Sequence, residues 1–307
     1  MTAAVAAAAL AVAAVAVFAD QAAQGDPDAS SATGALPELT PATPRAVGSP
    51  EAFKPVHVAH RGGAGLAPEM TAAAFESARK YDPDFVEIDV QLSSDGVPVL
   101  VHDETLARTS DVATVYPGRE YQPVGDFTLK QLRRLDFGSW FGESYAGESI
   151  VTLEELPDFI YSHGIGVFIE LKLPEESPGL EQAVSDVMDA DPRWAEMAAA
   201  DRVYFISFDR DALERAAKLQ PDPSLIWLSP HVPDDSTLAD VAGWSAQIGA
   251  DHRHADDSDL RRIRAAGLAV ALWTVNTKEA LKRVIEQRID FVITDRPDLL
   301  HGLIEQG

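Results

Sequence analysis

Two carboxylates stand two residues apart in an otherwise apolar run, Phe85-Val86-Glu87-Ile88-Asp89-Val90. On a β-strand that spacing puts Glu87 and Asp89 on one face. Carboxylates among apolar neighbours are costly unless paired or bound to a cation, which favours a site over an exposed strand face. Glu170-Leu171-Lys172 repeats the spacing. Glu170 offers a third oxygen ligand, and three carboxylates with several waters suit one divalent cation, Ca²⁺ or Mg²⁺, better than zinc. Lys172 points the same way and offers positive charge to a phosphate oxygen; a buried Glu–Lys pair of structural value alone is the competing explanation. His60 and Arg61 run into Gly62-Gly63, glycines that let backbone come close to a ligand. A lone His at a strand end is more often structural, but a His-Arg pair beside a carboxylate cluster favours a functional role.

These residues need a frame. From Val56 onward, short apolar runs at 56–60, 84–91, 97–102, 166–172, 202–207, 224–228, 246–249, 268–274 and 290–293 alternate with helical patterns such as 71–80, 209–219, 256–266 and 277–287. Alternation of this kind predicts a parallel sheet covered by helices. Nearly continuous apolar strands such as Ala269-Val270-Ala271-Leu272-Trp273 predict burial on both faces. A closed (β/α)₈ barrel needs eight strands, so one of the nine is an extra. Strands 84–91 and 97–102 flank Ser93-Ser94-Asp95-Gly96, and Asp-Gly signals a tight hairpin. A tight hairpin is antiparallel, whereas parallel neighbours need a crossover. The segment 97–102 is therefore an appendage, and 103–155 reads as a small insertion after the second barrel strand. An open doubly wound sheet is the fallback. With Asp95-Gly96 as a two-residue loop, Ser94 pairs with Val97 and His102 lies opposite Asp89 on the same face. In a TIM barrel the site sits at the C-terminal strand ends, where His60, Ser207, Trp273, Asn276, Thr294 and Asp295 also fall. Trp273 reads as a wall of the pocket or, alternatively, as core.

The 307 residues carry 25 Lys and Arg against 49 Asp and Glu, a formal net charge of −24. Such a surface repels nucleic acid and anionic headgroups at long range. The absence of cysteine excludes disulfides, thiolate catalysis and cysteine-ligated zinc. Residues 2–19 are almost wholly apolar and read either as a secretory signal cleaved after Ala19 or as a membrane anchor, although no Lys or Arg precedes Arg45. Residues 20–52 read as a disordered tether, and 53–307 as the folded domain. The expected location is secreted or tethered to the cell surface, or cytoplasmic if the leader does not function; the membrane enters only through the anchor. Asp251-His252-Arg253-His254 reads as a loop or rim contact. His57, three residues before His60, faces away from it.

The ordered set of motifs resembles the glycerophosphodiester phosphodiesterase family: His60-Arg61-Gly62, Ala67-Pro68-Glu69-Met70-Thr71, Glu87-Ile88-Asp89-Val90, Asp95-Gly96, Val101-His102-Asp103 with Leu106 and Arg108-Thr109, Thr152-Leu153-Glu154-Glu155, Glu170-Leu171-Lys172, Ser207-Phe208, Trp273-Thr274-Val275-Asn276 and Thr294-Asp295-Arg296-Pro297. The resemblance spans residues 56–300 and implies a TIM barrel. It implies that Glu87, Asp89 and Glu170 ligate the cation and that His60 and His102 are general base and acid. Arg61 and Lys172 would hold phosphate, and Glu69 would be a further ligand or substrate contact. The family commonly has Asn where this chain has Met70. The implied reaction cleaves a small-molecule glycerophosphodiester to glycerol phosphate and an alcohol through a cyclic phosphate. A sphingomyelinase D or lysophospholipase D-like enzyme, and a tethered non-catalytic binding protein, are the rival readings.

Overall fold

The computed structural model describes residues 53–172 and 174–305. The leader expected at 1–19 and the tether at 20–52 lie outside them. Among the described residues no helix is long and apolar enough to cross a membrane.

Nine strands form one sheet: β1 Val56–Ala59, β2 Phe85–Leu92, β3 Pro98–Leu100, β4 Gly166–Leu171, β5 Val203–Ser207, β6 Ser224–Ser229, β7 Gln247–Asp251, β8 Ala269–Trp273 and β9 Phe291–Thr294. Their order is β1-β9-β8-β7-β6-β5-β4-β2-β3, and β1 also pairs with β2. All pairs are parallel except β2–β3. Eight strands thus close a TIM barrel and β3 is the antiparallel appendage, as the hairpin argument expects. Helices such as Ala72–Arg79, Arg210–Leu219, Asp257–Ala265 and Lys278–Glu286 return the chain between strands. Each begins where a side chain accepts a backbone N–H: Thr71 from Ala74, Asp209 from Ala212, Asp256 from Ser258 and Asp259, and Thr277 from Ala280. Such a cap satisfies an amide that the first helical turn leaves without a partner.

Strand alternation sends every second side chain into the barrel. Phe85, Phe168, Tyr204 and Phe291 meet there with ring centroids 4.8–5.8 Å apart. They form an aromatic floor within a core that also holds Val58, Ile206, Ile226 and Ile293. The next inward residues toward the C-terminal ends, Glu87, Asp89 and Glu170, are buried as well.

The hairpin register differs from the expectation by one residue. Val90 pairs with Leu100, Gln91 with Val99 and Leu92 with Pro98, so the loop is Ser94-Asp95-Gly96, not Asp95-Gly96 alone. The Ser93 amide donates to Val97 O (3.0 Å), and Gly96 takes a left-handed φ of 79°, as three-residue hairpins require. Asp95 accepts from the Ser93 hydroxyl and from the Leu129 amide, both at 2.8 Å, which anchors the wider loop. In this register Asp89 faces Val101, and continued strand alternation would turn His102 away. The strand ends at Leu100. The backbone bends after it, and the Gln91 amide donates to the carbonyls of Val101 (2.8 Å), His102 (3.3 Å) and Asp103 (2.9 Å). That bend carries His102 into the site.

The insertion contains only short helical turns, among them Val112–Val115 and Leu129–Leu132. It has its own core of Val101, Leu106, Val112, Val124, Phe127, Leu132, Leu135, Phe137 and Ile150. Its end returns along β3, where Leu100 N donates to Val151 O and Leu153 N to Pro98 O.

Candidate active site

A cavity of about 130 Å³ opens at the C-terminal ends of the strands. His60, Arg61, Glu87, His102, Glu170 and Lys172 line one side; Ile206, Phe208, Leu228, Trp273 and Ile293 line the other. Trp273 and Phe208 meet edge to face with centroids 5.5 Å apart. The wall expected of Trp273 is therefore where the sequence put it, and Phe208 joins it.

Asp89 pairs with Glu170 across β2 and β4, and Glu87 with Phe168. One carboxylate thus rests beside the aromatic floor and two sit above it. Oxygens of Glu87, Asp89 and Glu170 lie within 4.8 Å of one another. Burial, then the neighbouring Asp89 and Glu170 charges, hold the Glu87 carboxyl far above the usual range. Burial and Asp89 push Glu170 up to about 7. Burial also opposes charge on Asp89, but Lys172, His102 and Arg61 outweigh it and hold Asp89 below its ordinary value.

The donor set fits a hard cation. Lys172 Nζ lies 3.3 Å from Asp89 Oδ1 and 2.9 Å from Glu170 Oε1. Yet neither Asp89 oxygen accepts a hydrogen bond from any described residue, although both are buried. A buried carboxylate with unsatisfied oxygens, flanked by two more carboxylates, is costly alone and suited to an oxygen-ligated divalent ion. A second acidic group, Glu69, His102 and Asp103, is equally compact, but its carboxylates are already bonded to arginines.

Each histidine has a carboxylate behind it. His60 Nδ1 lies 2.5 Å from Asp295 Oδ1, and the Asn276 amide holds Asp295 by donating to Oδ2 and by accepting from the Asp295 N–H. His102 Nδ1 lies 2.7 Å from Asp103 Oδ1. With each Nδ1–H donating to its carboxylate, Nε2 is left for other partners; that of His60 sits 3.8 Å from Glu87. Burial pushes the His102 imidazole below its ordinary value, against the pull of Asp89. Sequence separation hides the first pair, whereas His102 and Asp103 are neighbours in the chain. Asp295 reaches His60 only because β1 pairs with β9, Ala59 opposite Thr294.

Arg61 adopts a left-handed φ of 51°, and its amide donates to Glu87 Oε2 at 2.8 Å. Its side chain donates to Glu69 Oε1 at 3.0 Å, with Nε 3.8 Å from Asp89. Burial weakens that charge, but Asp89, Glu69 and Glu87 together raise its pKa. Glu69, for which the resemblance implies a ligand or substrate contact, is held by two arginines. It does not line the cavity; both its oxygens serve Arg61 and Arg108. Gly62 and Gly63 also serve differently. A Cβ on Gly62 would lie 2.8 Å from the Phe75 ring, and one on Gly63 would lie 3.2 Å from Ala78. They pack a left-handed turn against the helix Ala72–Arg79 instead of admitting a ligand. Met70 is buried with a φ of 60°, a conformation Asn tolerates better than Met. Its amide donates to Arg61 O.

The remaining histidines lie outside the cavity's lining. His254 packs against His231 with centroids 4.5 Å apart, and Asp251 bonds Arg253, with Arg253 and His254 exposed.

A model of the glycerophosphoryl diester phosphodiesterase family matches residues 60–299. A glycerophosphodiester phosphodiesterase of Bacillus subtilis is 31% identical over 256 residues, 80% of this chain and 84% of that protein. One from Caldanaerobacter subterraneus is 32% identical, covering 83% of this chain and all of that protein. Among solved structures, an Oleispira antarctica phosphodiesterase in complex with the product sn-glycerol-3-phosphate superposes with a TM-score of 0.72 at 31% identity, over 82% of this chain and 98% of that one. The match runs from His60 past Asp295, through the strand ends that build the cavity, and the chain belongs to the glycerophosphoryl diester phosphodiesterase family.

Proposed function

We propose that this enzyme hydrolyses small-molecule glycerophosphodiesters to glycerol phosphate and an alcohol, with Glu87, Asp89 and Glu170 holding one divalent cation. The observation that carries the reading is the juxtaposition of three buried carboxylates, their oxygens within 4.8 Å, with two imidazoles each backed by an aspartate. Arg61 and Lys172 place positive charge beside this cluster, so a phosphodiester can be held in a strongly acidic molecule.

The substrate's own neighbouring hydroxyl attacks phosphorus and gives a cyclic phosphate, which water then opens. An intramolecular nucleophile has a high effective concentration, so no nucleophilic side chain is needed. One of His60 and His102 takes the attacking proton, and the other protonates the leaving oxygen. Asp295 and Asp103 fix the two rings for that transfer. Arg61 and Lys172 hold the non-bridging oxygens. A Ca²⁺ or Mg²⁺ ion bound at the carboxylates would act as a Lewis acid toward the phosphoryl oxygens. Ile206, Phe208 and Trp273 offer an apolar wall that limits water beside the reacting group.

The test is glycerol phosphate release from glycerophosphocholine, glycerophosphoethanolamine and glycerophosphoglycerol, each assayed with Ca²⁺ and with Mg²⁺. Turnover of at least one is expected; none with any pairing would overturn the reading.

A further inference from the structure

Arg108 lies in the insertion, outside the cavity lining, and its side chain is 44% exposed. It nevertheless makes four hydrogen bonds to two carboxylates. Nε donates to Asp103 Oδ2 at 2.6 Å and Nη2 to Asp103 Oδ1 at 2.9 Å. Nη1 donates to Glu69 Oε2 at 2.8 Å and Nη2 to Glu69 Oε1 at 2.7 Å. Each carboxylate is then passed on: Asp103 Oδ1 meets His102 Nδ1, and Glu69 Oε1 meets Arg61 Nη1.

We propose that Arg108 is a positioning residue that clasps His102 and Arg61 together, through Asp103 and Glu69, so that proton transfer and phosphate binding share one geometry. This rests on the reading above that those two residues act on substrate.

Three observations favour orientation over simple stability. Arg108 itself is half-exposed, and buried Glu69 keeps its hydrogen bond from Arg61 without it, so the ion pair adds little to stability. Two forks on one guanidinium fix the carboxylates in direction as well as position, which an ammonium cannot do. The clasp also joins two separate parts of the chain: Glu69 follows β1, whereas Asp103 and Arg108 both belong to the insertion after β3. Without the guanidinium, Glu69 and Asp103 face each other as like charges in one compact group. The Trp140 ring, 5.7 Å from Arg108 Cζ, covers the guanidinium from the insertion side.

The test compares Arg108→Met and Arg108→Lys with the parent in three readouts. These are kcat and KM on a glycerophosphodiester, Tm, and the imidazole ¹⁵N shifts of His102 at fixed pH in cation-free protein. Arg108→Met is expected to lower kcat/KM about 10–100-fold with Tm nearly unchanged, and to turn His102 from the Nδ1–H form into a tautomer mixture. Arg108→Lys should recover only a minor part of the loss. In a Glu69→Gln/Asp103→Asn background the same substitution should cost less than about threefold, because groups in one network are not additive. Turnover within about threefold of the parent with unchanged His102 shifts would overturn the clasp. So would a loss of the same size in the double background. Should His102→Ala retain full turnover, the two-histidine reading fails instead, and the His102 shifts still report on the clasp.

Discussion

The lower and upper halves of the barrel interior are built by the same strands and do opposite things. In the lower half, Phe85, Phe168, Tyr204 and Phe291 exclude water and stack on one another. One inward step along β2 and β4 the lining changes to Glu87 and Glu170, and a second step along β2 adds Asp89. Burial stabilises the aromatic layer. In the acidic layer the same burial opposes charge and, with mutual repulsion, holds Glu87 and Glu170 partly toward the neutral form. Stability and chemistry are thus separated here by a two-residue period. The floor carries the acidic layer at a dielectric low enough for its charges to matter.

Four changes probe that contrast. The largest effect is expected above the floor. His60→Ala and His102→Ala should each lower kcat by about 10²–10⁴-fold with little change in Tm, as steady-state kinetics beside thermal melts will read. Full activity in either would remove the two-histidine scheme. The floor should show the reverse pattern. Phe168→Ala should cost about 3–5 kcal/mol in urea unfolding, while the molecules still folded keep most of their turnover. A loss of activity without a loss of stability would mean that the layers are not separable.

The third change adds the cation. A ligand bound only by the folded state at about 100 times its Kd stabilises by about 2.7 kcal/mol. Ca²⁺ or Mg²⁺ should therefore raise Tm of chelator-treated protein, and the rise should vanish in Glu87→Gln. In chelator that variant should melt no lower than the parent, since it removes a like charge.

The smallest effect lies outside both layers. His57 is buried, its ring Nε2 lacks a hydrogen-bond partner among the described residues, and burial, with His301 and Lys54, pushes it down from 6.5 to about 3. The folded state therefore disfavours the protonated ring, and the unfolded chain binds the proton first. Stability is fully present above pH 6.5 and is lost as pH falls from there toward about 3, by about 2 kcal/mol at pH 5. His57→Leu should flatten that slope in pH-dependent denaturation; an equally steep slope would assign it to other groups.

Most of the frame was legible because it rests on local rules. Apolar runs, helical patterns and the Asp-Gly signal mark strands, helices and the hairpin without tertiary knowledge. The acidic trio was legible for the same reason, since strand alternation alone puts Glu87 beside Asp89. What escaped depends on long-range partners. In the three-residue hairpin Asp95 accepts from the Leu129 amide, a partner far along the chain that the local Asp-Gly signal does not show. His102 enters the site through the bend that Gln91 fastens, although Gln91 stands in plain view on the face of Glu87 and Asp89. Asp295 and Asn276 fall at strand ends in the sequence, but their hold on His60 requires the barrel to close. Glu69 has a role in the sequence only through the resemblance, and its bond to Arg108 joins residues 39 apart. The helices Leu180–Ala190 and Pro192–Ala199 were missed where Asp191 ends one and caps the next across Pro192.

Whether the acidic layer holds a cation needed for turnover is tested most directly by stripping the protein with chelator and adding Ca²⁺ or Mg²⁺ back. Glycerol phosphate release from glycerophosphocholine is followed in the parent and in Asp89→Asn. The expected result is no release from the stripped parent, saturable recovery with at least one of the ions, and little or no recovery in Asp89→Asn. Undiminished release from thoroughly stripped protein would contradict it.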